Sequence, residues 1–138
     1  MRSFKAIAII ALALLCIAAL ALAEGPKDIW DDAIAAMKQD DYPTAVRLFR
    51  TLAELGMPSA QYQLGFFYRT GWGVPQDYGE ALKWFRLAAN QGHSNAQSNL
   101  AFMYRDGEGV LQDYVKAHMW FNLAATKRKQ SLHDSRLP

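Results

Sequence analysis

Apolar side chains recur every four residues through Ala60, Leu64 and Tyr68, and the same stripe returns through Ala96, Leu100 and Tyr104. That spacing lines one face of an α-helix. Each stripe runs out at a glycine, Gly71 or Gly107, where a left-handed residue can end a helix at no steric cost. A second glycine, Gly73 or Gly109, allows a tight loop with Val74 or Val110 tucked beneath it. Asp77 and Asp113 then stand where the next helix needs an acceptor for its unpaired amide protons. Glu80, three residues after Asp77, predicts a capping box in the first case; Lys116 at the matching position denies one to the second. The helices that follow read ALKWFRLAA and AHMWFNLAA. Their alanines permit close helix approach, and their Trp-Phe pairs supply most of the buried area.

The two blocks are one unit displaced by 36 residues, so that Ala60, Gly71, Asp77 and Trp84 fall on Ala96, Gly107, Asp113 and Trp120. A degenerate copy precedes them. Asp41, Ala45, Phe49, Ala53 and Gly56 fall on Asp77, Ala81, Phe85, Ala89 and Gly92 at the same offset. Its first helix, expected over Asp28 to Gln39, lacks the Gly-x-Gly-Val loop and serves as an N-terminal cap. A fixed period of this kind means stacked supersecondary units, each unable to bury its apolar face alone. The chain repeats because each unit is the next one's core. The expected fold is therefore all-α, an α-solenoid of stacked antiparallel helix pairs, with units at residues 24–57, 58–93 and 94–129 and a polar tail at 130–138.

The recurring alanine, Leu-Gly, tyrosine, Gly-x-Gly-Val, aspartate, alanine, tryptophan and Ala-Ala resemble the Sel-one-like repeat, a relative of the tetratricopeptide repeat. The copy AQYQLGFFYRTGWGVPQDYGEALKWFRLAANQG fits that pattern closely. The next departs from it at Ala101, where Gly65 stands in the first, and at Arg128, where Gly92 stands. The resemblance implies an adaptor or scaffold, often exported in bacteria, whose shared residues are structural, so that no catalytic position carries over.

The first 23 residues read differently from the rest. Arg2 and Lys5 precede an apolar run from Ala6 to about Leu22, and Ala21-Leu22-Ala23 offers a small-x-small cleavage site. This is a secretory signal layout, with cleavage expected after Ala23; an uncleaved anchor helix is the alternative. Leu15 before Cys16 argues against lipid attachment. From Glu24 onward the chain carries 13 basic and 13 acidic residues and no cysteine. Neutrality gives no sign of nucleic-acid binding, and without cysteine there is no disulfide, thiol nucleophile or thiolate metal site. The location expected is periplasmic or secreted.

Catalysis finds little support. Ser131, His133 and Asp134 crowd together in the tail, but a nucleophile, base and orienter that close in sequence rarely take up working geometry. A penicillin-interacting or cell-wall enzyme, suggested by the family resemblance, is the rival reading, yet no Ser-x-x-Lys, Ser-Asp-Asn or Lys-Thr-Gly element is present after the leader. His93, His118 and His133 lack metal-ligand spacing, and His118, at the position of Leu82, is expected to be a partly buried packing residue. No cofactor is expected.

Binding is what remains. First helices of stacked pairs usually line the concave face. Gln61 with Gln97, Gln63 with Asn99 and Arg69 with Arg105 repeat there, the arginines able to fork onto carboxylates of an extended peptide or to cover the negative ends of their own helices. Trp72 is an unmatched loop aromatic, replaced by Glu108 in the next unit, and either a candidate anchor or ordinary loop packing. The expected partner is a protein or peptide, identity open. The tail KRKQSLHDSRLP breaks the repeat, so either it folds back as a partial cap, which is the expectation, or another chain covers that face by homo-association.

Overall fold

The computed structural model describes Lys5 and residues 25–135. The leader's apolar run and its cleavage site lie outside the described residues, as do the last three positions. Six helices follow one another: α1 (Pro26–Lys38), α2 (Tyr42–Glu54), α3 (Pro58–Thr70), α4 (Tyr78–Asn90), α5 (Ser94–Asp106) and α6 (Tyr114–Asp134). Each packs chiefly on the helix before it and the helix after it. Among the described residues no helix is long and apolar enough to cross a membrane.

The predicted stripes face inward. Ala60, Leu64, Tyr68, Ala96, Leu100 and Tyr104 are all buried, joined by Ala81, Trp84 and Phe85 of α4. Aromatic rings carry the core from unit to unit. Trp30 meets Phe49 edge-on at 5.2 Å, and Phe49 lies 6.0 Å from Phe67, so one ring ties α1 to α2 and α3. Gly65 explains the absence of alanine at its position: a Cβ there would sit 2.8 Å from the Phe85 ring.

The loops show why two glycines are needed. Gly71 and Gly107 close α3 and α5 in the left-handed region, at φ 78° and 71°. Gly73 and Gly109 also have positive φ, but a second constraint acts on them. A Cβ on Gly73 would lie 2.4 Å from the carbonyl carbon of Tyr42, and one on Gly109 would lie 2.8 Å from the carbonyl oxygen of Tyr78. Each loop therefore rests on the first residue of the preceding unit's second helix. The Asp77 amide donates back to Tyr68 O and the Asp113 amide to Tyr104 O, both at 2.8 Å. Asp77 and Asp113 cap their helices by accepting from the amides of Glu80 and Lys116. The capping box expected at Glu80 does not form. The amide it would receive is already committed to Tyr68, and the Glu80 carboxylate instead accepts from Trp84 Nε1 at 3.2 Å.

The described part of the tail, residues 130–135, does not fold back. Gly56 and Gly92, both at φ 88°, reverse the chain after α2 and α4. Arg128 occupies the corresponding position after Ala125, and no glycine is there to take the left-handed conformation, so α6 continues to Asp134. Among the described residues no helix is laid over its outer side: Met119 is 52% exposed and Leu132 54%. His118 is exposed for the same reason, which corrects the packing role expected of it.

Candidate functional site: the first-helix face

On α3 and the loop after it, Gln63, Phe66, Arg69 and Trp72 follow one another at intervals of three. Asn99, Phe102, Arg105 and Glu108 do the same one unit later. Residues at that spacing are neighbours on a helix surface, so two parallel rows stand side by side. None of the eight is buried. Phe66 meets Trp72 edge-on at 5.7 Å, and Trp72, 48% exposed, also lies 5.3 Å from Tyr42. In the second row the Arg105 guanidinium sits 4.9 Å above the Phe102 ring.

The two arginines do different work. Arg69 reaches across to the next unit: its Nε donates to Glu108 Oε2 at 2.7 Å, Nη2 donates to Oε1 at 3.3 Å, and Nη1 donates to Asn99 at 3.2 Å. The hydrogen bonds that Arg69 donates to Glu108 raise its pKa above the ordinary value, with burial opposing. Arg105 forks instead onto its neighbour Asp106 at 2.7 and 2.9 Å. That hydrogen bond raises the pKa of Arg105 and lowers that of Asp106. The replacement of Trp72 by Glu108 thus supplies the carboxylate that locks the rows together.

Gln61 and Gln97 do not belong to this face. They are 4% and 1% exposed, and their Nε2 groups donate to Ala53 O and Ala89 O near the end of the preceding helix. Burying an amide is tolerated where it satisfies such an unpaired carbonyl. Gln61 Oε1 in turn accepts from Gln91 Nε2 at 2.7 Å. One unit on, Lys127 replaces Gln91, and among the described residues Gln97 Oε1 is buried without a partner. Sequence reasoning also passed over Gln76 and Gln112, whose side-chain amides donate to Arg69 O and Arg105 O and brace the loops.

His93 caps α5, its Nδ1 accepting from the Ala96 amide at 3.2 Å while its ring stacks on Tyr62 at 4.9 Å. Burial pushes its pKa below the usual imidazole value of about 6.5. The unfolded chain takes up a proton near that pH, and the folded chain resists it. This contribution to stability is therefore expected to be full above about pH 6.5 and to be lost as pH falls toward the lowered folded value. Thermal melts across that range should show a smaller acid-side loss in His93→Asn, which keeps a capping acceptor; an equal loss would contradict the assignment. Among the described residues no group of three His, Cys, Asp or Glu is arranged to hold a metal ion.

The Sel1 repeat matches residues 34–57, 58–93 and 94–128. Among solved structures the chain is similar to a protective antigen of uropathogenic Escherichia coli strains that displays an SLR fold. The identity is 36% and the TM-score 0.71, over 74% of this chain and 23% of the antigen. It is also similar to a Sel1 repeat protein from Oxalobacter formigenes, at 36% identity and TM-score 0.61, over 62% of this chain and 65% of that one. The chain spans less than two thirds of either relative's length. No curated protein matches it. With three consecutive matched segments over the helical region, the chain belongs to the Sel1 repeat family.

Proposed function

We propose that this protein is an exported, non-catalytic scaffold that holds a protein or peptide partner along its first-helix face. The observation that carries the reading is the double row of Gln63, Phe66, Arg69 and Trp72 beside Asn99, Phe102, Arg105 and Glu108. The rows combine partly exposed aromatic rings with polar side chains, the composition that anchors a partner and fixes its register. The Arg69–Glu108–Asn99 bridge holds the rows in fixed relation, so little ordering remains to be done on binding. The basic start, apolar run and small-residue site of the first 23 residues support export. Photoreactive residues placed at Gln63 and Arg105 are expected to capture one discrete partner in the native envelope. The same group at Glu54, exposed at the end of α2, is expected to capture none.

A further inference from the structure

A cavity of about 470 Å³ lies between α4 and the loop that leads into α6, and none of the first-helix rows lines it. Arg86, Tyr104, Leu111, Asp113 and Lys116 contribute to its wall. The Arg86 guanidinium is held in place by donating Nη2 to the Tyr104 hydroxyl at 2.9 Å, and among the described residues it has no carboxylate partner. Lys116 lies 3.3 Å from the Asp113 carboxylate and 5.4 Å from the centre of the Tyr104 ring.

The preceding unit provides an internal comparison. Arg50 donates to the Tyr68 hydroxyl in the same way, so the arginine–tyrosine brace is part of the repeat. Around it, however, the chemistry changes. Glu80 stands where Lys116 stands, and Asp77 matches Asp113. The earlier position therefore sets Arg50 and Lys83, the latter 3.6 Å from Glu80, against two carboxylates, and the later one, with Met119 in place of Lys83, sets Arg86 and Lys116 against one carboxylate. Pro75 and Gly79 become Leu111 and Val115 at the same time, and these side chains are 91% and 81% exposed. One unit thus loses a carboxylate and gains two exposed aliphatic side chains together on a frame that is otherwise copied.

We propose that this cavity binds the C-terminal residue of a peptide whose last side chain is apolar. The terminal carboxylate lies between Arg86 and Lys116, and the side chain covers Leu111 and Val115. A C-terminal apolar residue fits because it carries its anion and its apolar group on a single Cα, matching Arg86 and Lys116, which share the cavity wall with the exposed Leu111 while Val115 directly precedes Lys116 in the chain. A planar guanidinium pre-oriented by a hydroxyl suits a carboxylate, and the ammonium adds charge without demanding geometry. The site goes beyond the first-helix reading and stands or falls independently of it.

The test uses the full chain and three probes: N-acetyl-Ala-Ala-Leu with a free carboxylate, its C-terminal amide, and N-acetyl-Ala-Glu-Leu amide. Binding is followed by the methyl resonances of Leu111 and Val115. The free-carboxylate peptide is expected to shift both, and the amide to bind about tenfold more weakly or worse. Lys116→Glu, which brings in the residue type of the preceding unit, and Arg86→Gln should each weaken the free peptide by about tenfold while circular dichroism stays unchanged. Equal binding of the internal-glutamate amide would overturn the terminal assignment. Absence of binding, or binding that Lys116→Glu leaves untouched, would overturn the site.

Discussion

Replacing Gly73 by alanine is expected to destabilise the fold by about 3 kcal/mol, from two sources that act together. Gly73 has φ 71°, a left-handed conformation that costs a residue with a Cβ roughly 1–2 kcal/mol. The new Cβ would also come within 2.4 Å of Tyr42 C, 2.6 Å of Tyr42 O and 2.7 Å of Pro43 N. These atoms are backbone at the start of α2, so no side-chain rotation relieves the contact, and the loop must lift off the preceding unit. Overpacking of that kind adds about 1–3 kcal/mol. Gly56 provides the control, because it has φ 88° and nothing within 4 Å of its would-be Cβ. Gly56→Ala should bear the conformational cost alone. Urea titrations of both variants measure the difference, and equal midpoints would show that the loop does not clamp neighbouring units.

Phe49→Ala is expected to cost about 3–5 kcal/mol, the range for emptying a fully buried aromatic site. Phe49 has no exposed surface and touches rings on both sides, Trp30 in α1 and Phe67 in α3. The cavity would open where the N-terminal unit joins the next, and neither neighbour can fill it without breaking its own packing. Phe121 occupies the equivalent position two units later, but it is only partly buried because, among the described residues, no helix covers α6 on that face. Its truncation should cost about half as much, since less area leaves water in the first place. Denaturation midpoints at unchanged slope give both values. A Phe121→Ala cost as large as that of Phe49→Ala would contradict the account of α6 as the uncovered end.

Much of the architecture was legible because it rests on local chemistry repeated at a fixed interval. The four-residue stripes, the glycines that end α3 and α5 and the aspartate caps each follow from one residue type at one position. The misreadings arose where a side chain's partner lies in another helix. Gln61 and Gln97 look like surface residues by polarity, but each reaches a carbonyl eight residues earlier in the chain and is buried by doing so. Arg69 and Arg105 are the same residue at the same repeat position. Only Arg69 has a following Glu108 to bind, and only Arg105 has an acidic neighbour, Asp106 in place of Thr70, so the same arginine gives one bridge between units and one local pair. The capping box at Glu80 failed because the receiving amide had a better-placed acceptor in Tyr68. The run of α6 past the repeat boundary was signalled by Arg128 in place of glycine, although the consequence drawn from the polar tail was a fold-back.

The face that emerges keeps Gln63, Arg69, Trp72, Asn99 and Arg105 and loses the two buried glutamines. Its use as a binding surface is tested most directly by photocrosslinking in the native envelope from Gln63 and Arg105, with Glu54 as the control. The account predicts one shared partner from both row positions and nothing discrete from the control. Failure of either row position to crosslink, or equal capture of the same protein from Glu54, would contradict it.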